Sequence, residues 1–383
     1  MNKNIRKEKS SPSNFRFTFE ELGGAVGNYG ILFSIILGVS LVSNMNLGYI
    51  LLFFGLWYII VGLYYKLLVP IEPMKVIGVV VIAGGISQSE IVASGIILGI
   101  LFLTLGYCKG MKFIQKRVPQ SVIRGIQLGL ALILIKTSFN FIILDYLLAI
   151  FCLIIIALFL FANKFYKVID VSAIVIILIG IIIGLFHFGI PSMSFISFPE
   201  IIIPNLKDFI SGGWLLAIPQ VPLTITNAIL ATSLLMEDLF HQKVDPDKFS
   251  KTIGFMNLTS VPIGGFPMCH GAGGLAAQYR FGARSGGANI ISGLILLIIA
   301  LCFASSAFIE LIPIAIFGVL LVFVAIELAK HGFKTDSILI TGCVAILALL
   351  INVTIAFIIG LFLAYLIIRR NKISKKLKAK KKI

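Results

Sequence analysis

The chain has 383 residues, of which 59% are hydrophobic and only 13% charged, with a formal net charge of +16 and a mean hydropathy of +1.07. Soluble domains carry roughly 25% charged residues, so this composition speaks against a soluble fold and for an integral membrane protein. The positive residues gather in short loops and in the tails 1–16 and 369–383, not in a basic patch interleaved with aromatics, which leaves the lipid bilayer and not nucleic acid as the partner of the charge.

About 20 predominantly apolar residues cross a bilayer as a helix. On that measure the sequence predicts an all-α membrane protein of fourteen elements. The first seven lie at 17–42, 47–67, 73–84, 89–108, 119–137, 141–161 and 170–188. After an external linker, 189–206, the next seven lie at 207–236, 249–263, 270–279, 288–305, 309–329, 336–350 and 351–368. The third and the tenth are too short to cross, and each follows a proline-containing break, Pro70–Pro73 and Pro267.

Loop charge supports this count. With the N-terminus inside, Lys66, Lys109, Lys112, Lys116, Arg117, Lys164, Lys167, Lys243, Lys248, Lys251, Arg280, Arg284, Lys330 and Lys334 all fall in cytoplasmic loops. The external loops hold almost no positive charge; Lys136 and Lys207 are the exceptions. Lysine and arginine bias sets orientation, so both termini are expected in the cytoplasm. Short elements at matching places in two sets of seven suggest an inverted repeat, 17–188 and 207–368, with the binding site at the broken segments. The Lys- and Ile-rich composition points to an AT-rich prokaryotic genome, and so to the plasma (inner) membrane. The first apolar span is long and lacks a small-residue cleavage site, so no cleaved signal peptide is expected.

Backbone rich in glycine survives at membrane depth only where protein buries it or a cavity solvates it. The run 264–274 is such a stretch. Pro267 stops a helix, and a new one beginning near His270 presents unpaired N–H groups and a positive dipole end, an anion site. Gly271, Gly273 and Gly274 allow close backbone approach, or else close helix packing. His270 is either a donor to the anion or a structural hydrogen-bonding residue. Lys75, a cation at membrane depth, attracts an anion, or pairs with Glu72, or reaches an interface. Glu72 is that partner or a protonatable coupling group. Gln220, Thr224 and Asn227 share one face of the eighth element, as neutral donors or as interhelical glue. Glu20 and Glu21 lie at the start of the first element, where a carboxylate also suits a helix N-terminus. Five scattered cysteines (Cys108, Cys152, Cys269, Cys302, Cys343) show neither a disulfide framework nor a zinc spacing. No Gly-Lys-Ser/Thr ending makes the glycines a nucleotide loop. No nucleophile–base pair at membrane depth suggests an enzyme, and no cofactor is expected.

These residues resemble a known family. Pro219-Gln220-Val221-Pro222-Leu223-Thr224 with Asn227, the run 264–274, and Gln278-Tyr279-Arg280-Phe281-Gly282-Ala283-Arg284 look like the molybdate transporter branch of the sulfate permease superfamily. Glu21-Leu22-Gly23-Gly24-Ala25-Val26-Gly27 resembles that branch's first-helix motif, and Pro70-Ile71-Glu72-Pro73-Met74-Lys75 its third-element motif. The resemblance implies a seven-plus-seven inverted repeat, with elements one to four and eight to eleven as a core domain and the rest as a gate domain. It implies that elements three and ten are each a short strand plus a half-helix, their N-termini facing across the substrate. Two positions depart from the family: Asn28 stands where Asp is usual, and Glu72 where Gln is usual. The chain also ends soon after the last span, without the regulatory cytoplasmic domain common in sulfate permeases, which favours the molybdate branch. The substrate-binding set expected on these grounds is Glu21, Asn28, Glu72, Pro73, Met74, Lys75, Gln220, Thr224, Asn227, Met268, Cys269, His270, Gly271, Ala272, Gly273 and Gly274. Its ligand is a tetrahedral dianion, molybdate first and sulfate next, with a coupling cation, a proton foremost; a homodimer is compatible with this reading. A passive anion channel is the alternative from another class.

Overall fold

The structure is a computed structural model, and it describes residues 15–111, 119–166, 171–189, 201–302 and 312–380. The expected N-terminal tail, most of the linker, Lys112, Lys116, Arg117 and Lys167 lie largely or wholly outside them. Helices α1 (Phe19–Ala25), α2 (Tyr29–Ser43), α3 (Leu47–Tyr65), α4 (Lys75–Ala83), α5 (Gln88–Tyr107), α6 (Gln120–Ile142), α7 (Tyr146–Tyr166) and α8 (Ser172–Phe188) come first. A long helix α9 (Leu206–Phe240) follows, then α10 (Pro246–Ser260), α11 (Ala272–Arg280), α12 (Gly286–Cys302), α13 (Ile314–Gly332), α14 (Ile338–Leu350) and α15 (Val353–Lys380). Among the described residues, five stretches are apolar and long enough to cross a membrane unaided: Phe19–Ser43, Leu47–Tyr65, Gln88–Tyr107, Gln120–Ala162 and Leu206–Phe240. Shorter apolar helices include Ser172–His187, Gly286–Leu301, Ile338–Leu350 and Val353–Ile367.

Two breaks differ from the sequence reading, each for an identifiable reason. The first element is broken at 26–28. There Gly27 lies against α11 so closely that a Cβ would stand 3.1 Å from Gln278 Cα. The turn after α6 comes later than expected, at Ile143–Asp145, where the Asp145 carboxylate accepts the Leu148 N–H at 3.1 Å. The helix before the glycine run ends where expected, at 263: a single 3-10 turn, Val261–Ile263, stops at Gly264, whose φ of +91° is the left-handed region that glycine tolerates.

The helices form two packed groups. α1–α5 pack with α9–α12, and α6–α8 pack with α13–α15. In the first group, α3 and α12 meet along glycines seven residues apart. A Cβ on Gly55 would stand 2.9 Å from the Gly293 carbonyl oxygen, and one on Gly62 2.8 Å from that of Gly286. Lipid tails supply no hydrophobic drive between helices, so close backbone packing of small residues replaces it. The opposite face of the second group carries Leu147, Ile150, Phe151, Ile154, Leu158 and Phe161 of α7, all exposed. An apolar band of that size belongs in lipid. At one end of the bundle, Lys248 lies over Tyr64 and Tyr65 at 4.4 and 4.9 Å, and Lys251 over Tyr107 at 4.6 Å.

The short third and tenth elements each consist of a strand and a half-helix. Strand β1 (Glu72–Pro73) pairs antiparallel with β2 (Met268–Cys269), Glu72 opposite Cys269 and Pro73 opposite Met268. The Met74 N–H continues the ladder to the Pro267 carbonyl at 2.9 Å. Two buried asparagines clamp the extended backbone. Asn257 on α10 accepts the Met268 N–H at 3.0 Å and donates to the Met268 carbonyl at 2.8 Å. Asn289 on α12 does the same for Val69, at 3.2 and 2.5 Å. Backbone that cannot form a helix thereby has its polar groups paired inside an apolar bundle.

Candidate substrate site

A cavity of about 540 Å³ lies between the two helix groups. From the first group it is lined by Asn28, Lys75, Asn227, Ala272 and Gly273, and from the second by Arg124, Gln127, Phe323 and Glu327. Exposed Arg280 and Lys330 also line it. Of the sixteen expected residues, these first five are the ones at the cavity wall.

The half-helix α4 begins at Lys75, whose ammonium forms an ion pair with Glu72. Lys75 thus both faces the cavity and has the carboxylate partner considered from sequence. The other Glu72 oxygen, Oε1, accepts the Gly274 N–H at 2.7 Å, so this carboxylate caps α11. The corresponding cap on α4 is Gln220, whose Oε1 accepts the Val76 N–H at 2.9 Å while its amide donates to Thr224 at 2.9 Å. Protein acceptors therefore meet N–H groups that the sequence reading left for an anion. Gly273 is open: a Cβ there would have nothing within 4 Å. At Gly271 and Gly274 a Cβ would overlap the Glu72 carboxylate, so a larger residue at either position would have to displace that side chain.

Asn28 precedes α2 at the break in the first element. It is 2% exposed, and among the described residues neither its amide nitrogen nor its oxygen makes a hydrogen bond of full geometry, although the Tyr58 hydroxyl is close to it. A buried amide left unsatisfied costs roughly 1–3 kcal/mol, which a bound ligand would recover. Asn227 lies on α9, where two π-helical turns, Gly213–Ala217 and Thr224–Ala231, accompany Pro219 and Pro222.

His270 takes the structural one of its two expected roles. It is fully buried, its Nδ1 is 2.9 Å from the Pro70 carbonyl oxygen and its Nε2 is 2.8 Å from Thr252 Oγ1. A carbonyl can only accept, so Nδ1 carries the hydrogen. The ring ties the lead into β1 to the lead out of β2. It does not line the cavity. Glu21 is likewise displaced: its Oε1 accepts the Arg284 N–H at 3.1 Å, in the turn before α12. Pro73, Met74, Met268 and Cys269 are buried in and beside the strand pair, and shape the site from behind. Arg124 and Gln127 are absent from the expected set; an arginine and a glutamine three apart inside an apolar span were the available signal. Arg124 Nη1 donates to Gln127 at 3.0 Å and its Nε to the Lys334 carbonyl at 3.1 Å.

Two solved structures share this fold. The transmembrane domain of a cyanobacterium bicarbonate transporter, BicA, superimposes with a TM-score of 0.67 at 19% identity, over 90% of this chain and 98% of that one. The murine Solute Carrier 26 family member A9 anion transporter in the inward-facing state gives 0.70 at 14% identity, over 96% and 74%. The fold and its apolar helices define an integral membrane protein. A family described as "Molybdate transporter of MFS superfamily" matches residues 20–134 and 212–328. Molybdate transporter 2 of Arabidopsis thaliana is 32% identical over 388 aligned positions, covering 85% of this chain and 82% of that protein. Molybdate transporter 1 of the same plant is 31% identical over 416, covering 93% and 90%. The chain belongs to this molybdate transporter family, whose members are transporters and not enzymes.

Proposed function

We propose that this chain is a secondary active transporter of a tetrahedral oxyanion, molybdate first, working by alternating access. The observation that carries the reading is the convergence of Lys75, the buried amide of Asn28 and the open start of α11 at Gly273 on one cavity between two helix groups. A tetrahedral dianion suits several converging donors and limited positive charge. The names of the relatives support molybdate.

In this reading α1–α5 and α9–α12 are the core domain and α6–α8 and α13–α15 the gate. We further read the family as a branch of the sulfate permease superfamily and the chain as a seven-plus-seven inverted repeat in the plasma membrane with both termini cytoplasmic, a reading that the likeness to the two solved transporter folds supports. Moving a dianion inward against a negative-inside potential costs about 2.3 kcal/mol per charge per 100 mV, so cation symport is expected, with the proton as the cation. Uptake of labelled molybdate into proteoliposomes, competed with sulfate, tests the substrate. Preference for sulfate reassigns it within the same fold. Flux that never concentrates the anion against a gradient makes the protein a channel.

A further inference from the structure

The Glu72 carboxylate already makes the contacts that a bound oxyanion needs. Oε1 accepts from the N–H of Gly274 near the start of α11, at 2.7 Å, and Oε2 from the ammonium of Lys75 at the start of α4. Glu72 is wholly buried. Asn28 flanks the same spot, its Nδ2 2.7 Å from where a Gly274 Cβ would stand, and among the described residues neither polar atom makes a hydrogen bond of full geometry. Half-helix start, cation and amide donor thus surround a site whose anion is a side chain of the protein itself.

Of the other ionisable groups nearby, Cys269 adjoins the pair, and the rest are hydrogen-bonded elsewhere or lie across the cavity. Cys269 is opposite Glu72 in the ladder, and the nitrogens of His270 lie on Pro70 and Thr252. Tyr58 of α3 donates to the Ile71 carbonyl, and Tyr29 of α2 to that of Ser292. Arg124 of α6 and Glu327 of α13 line the opposite wall, and Glu327 is paired with Lys330.

Building on the oxyanion-carrier reading, we infer that Glu72 is the pocket's resident counter-anion, and that a tetrahedral dianion binds by taking Lys75 and the Gly274 N–H from it as Glu72 gains a proton. The proton comes from a buffer acid or hydronium in the cavity water, whose conjugate base remains in solution, and no other bond forms or breaks. Counting Lys75, Glu72 and the ligand, the pocket then passes from neutral to a single negative charge instead of two. Substrate binding and protonation are linked because both compete with the same ion pair.

The test is calorimetric titration of the purified full chain with molybdate between pH 6 and 8, in buffers of different ionisation enthalpy. The expected result is uptake of about one proton per anion, with affinity falling by up to about tenfold per pH unit as pH rises. Glu72→Gln, which resembles the protonated residue, should bind with no proton uptake, a flat pH profile and higher affinity than the parent at pH 8. Uptake near zero in the parent, or an unaltered pH slope in Glu72→Gln, overturns the inference. Should that variant fail to fold, the parent titration decides alone. A parent that binds neither molybdate nor sulfate overturns the transport reading and this inference together; binding without proton exchange overturns this inference only.

Discussion

Glu72 and Gly274, 202 positions apart in sequence, are joined by a 2.7 Å hydrogen bond from a helix-start N–H to a buried carboxylate. That bond holds the two half-helices in register with a side chain where the strand pair holds them with backbone. It also sets the electrostatics against which any anion must bind.

Lys75→Ala removes the ammonium facing the cavity and leaves Glu72 without its ion-pair partner. A charge-assisted hydrogen bond contributes roughly 1.5–3 kcal/mol, which corresponds to about 10- to 100-fold in affinity. Molybdate uptake by a well-expressed Lys75→Ala protein should fall by at least that lower factor. Uptake at the parental level would remove Lys75 from the site.

Gly273→Val fills open space at the cavity wall, since nothing lies within 4 Å of a Cβ there. Oxyanion affinity should drop by about tenfold or more, while thermal stability in detergent moves little. Gly342→Val on α14 is the matched control, because its Cβ is equally free, and it should leave binding intact. Gly62→Val, by contrast, should unfold the α3–α12 contact, since its Cβ would stand 2.8 Å from both Asn289 Cβ and the Gly286 carbonyl oxygen. Equal affinity in Gly273→Val and Gly342→Val would move the site elsewhere.

His270→Ala strips a donor from the Pro70 carbonyl and a partner from Thr252. Each lost buried bond costs roughly 1–3 kcal/mol. The melting temperature should fall clearly, whereas molybdate affinity of the folded fraction should change by only a few-fold. Abolished binding with an unchanged melting temperature would make His270 a ligand-contacting residue after all.

A cysteine introduced at Lys378, with Cys108 replaced by serine, should resist impermeant reagents in intact cells and react once the cells are opened. Cys108 is exposed at the end of α5 and would otherwise contribute background. Labelling from outside would invert the topology.

How much of this was legible in the sequence depends on the kind of signal. The broken elements were, because proline and clustered glycine at membrane depth interrupt a helix and leave backbone that only a cavity or buried partners can satisfy; Lys75 and Gly273 at the cavity wall follow from them. Asn28 was picked out by resemblance, but its reason is the chain break before α2, which depends on how tightly α11 packs against Gly27. His270 and Glu21 show the limit. Position beside a glycine run does not say which way a side chain turns, and both turn into the protein. Arg124 and Gln127 reach the cavity from a helix in the other group; their spacing inside an apolar span marks them as unusual, but the cavity they face is set by tertiary packing.

The two asparagine clamps and the strand pair have a thermodynamic consequence. Asn257 and Asn289 fix the backbone of both half-helix leads from neighbouring helices, so the half-helix starts are held in place before any ligand arrives. A preorganised site surrenders little conformational freedom on association. The entropy of oxyanion capture should therefore be dominated by water released from the ion and the cavity, and little by the ordering of protein.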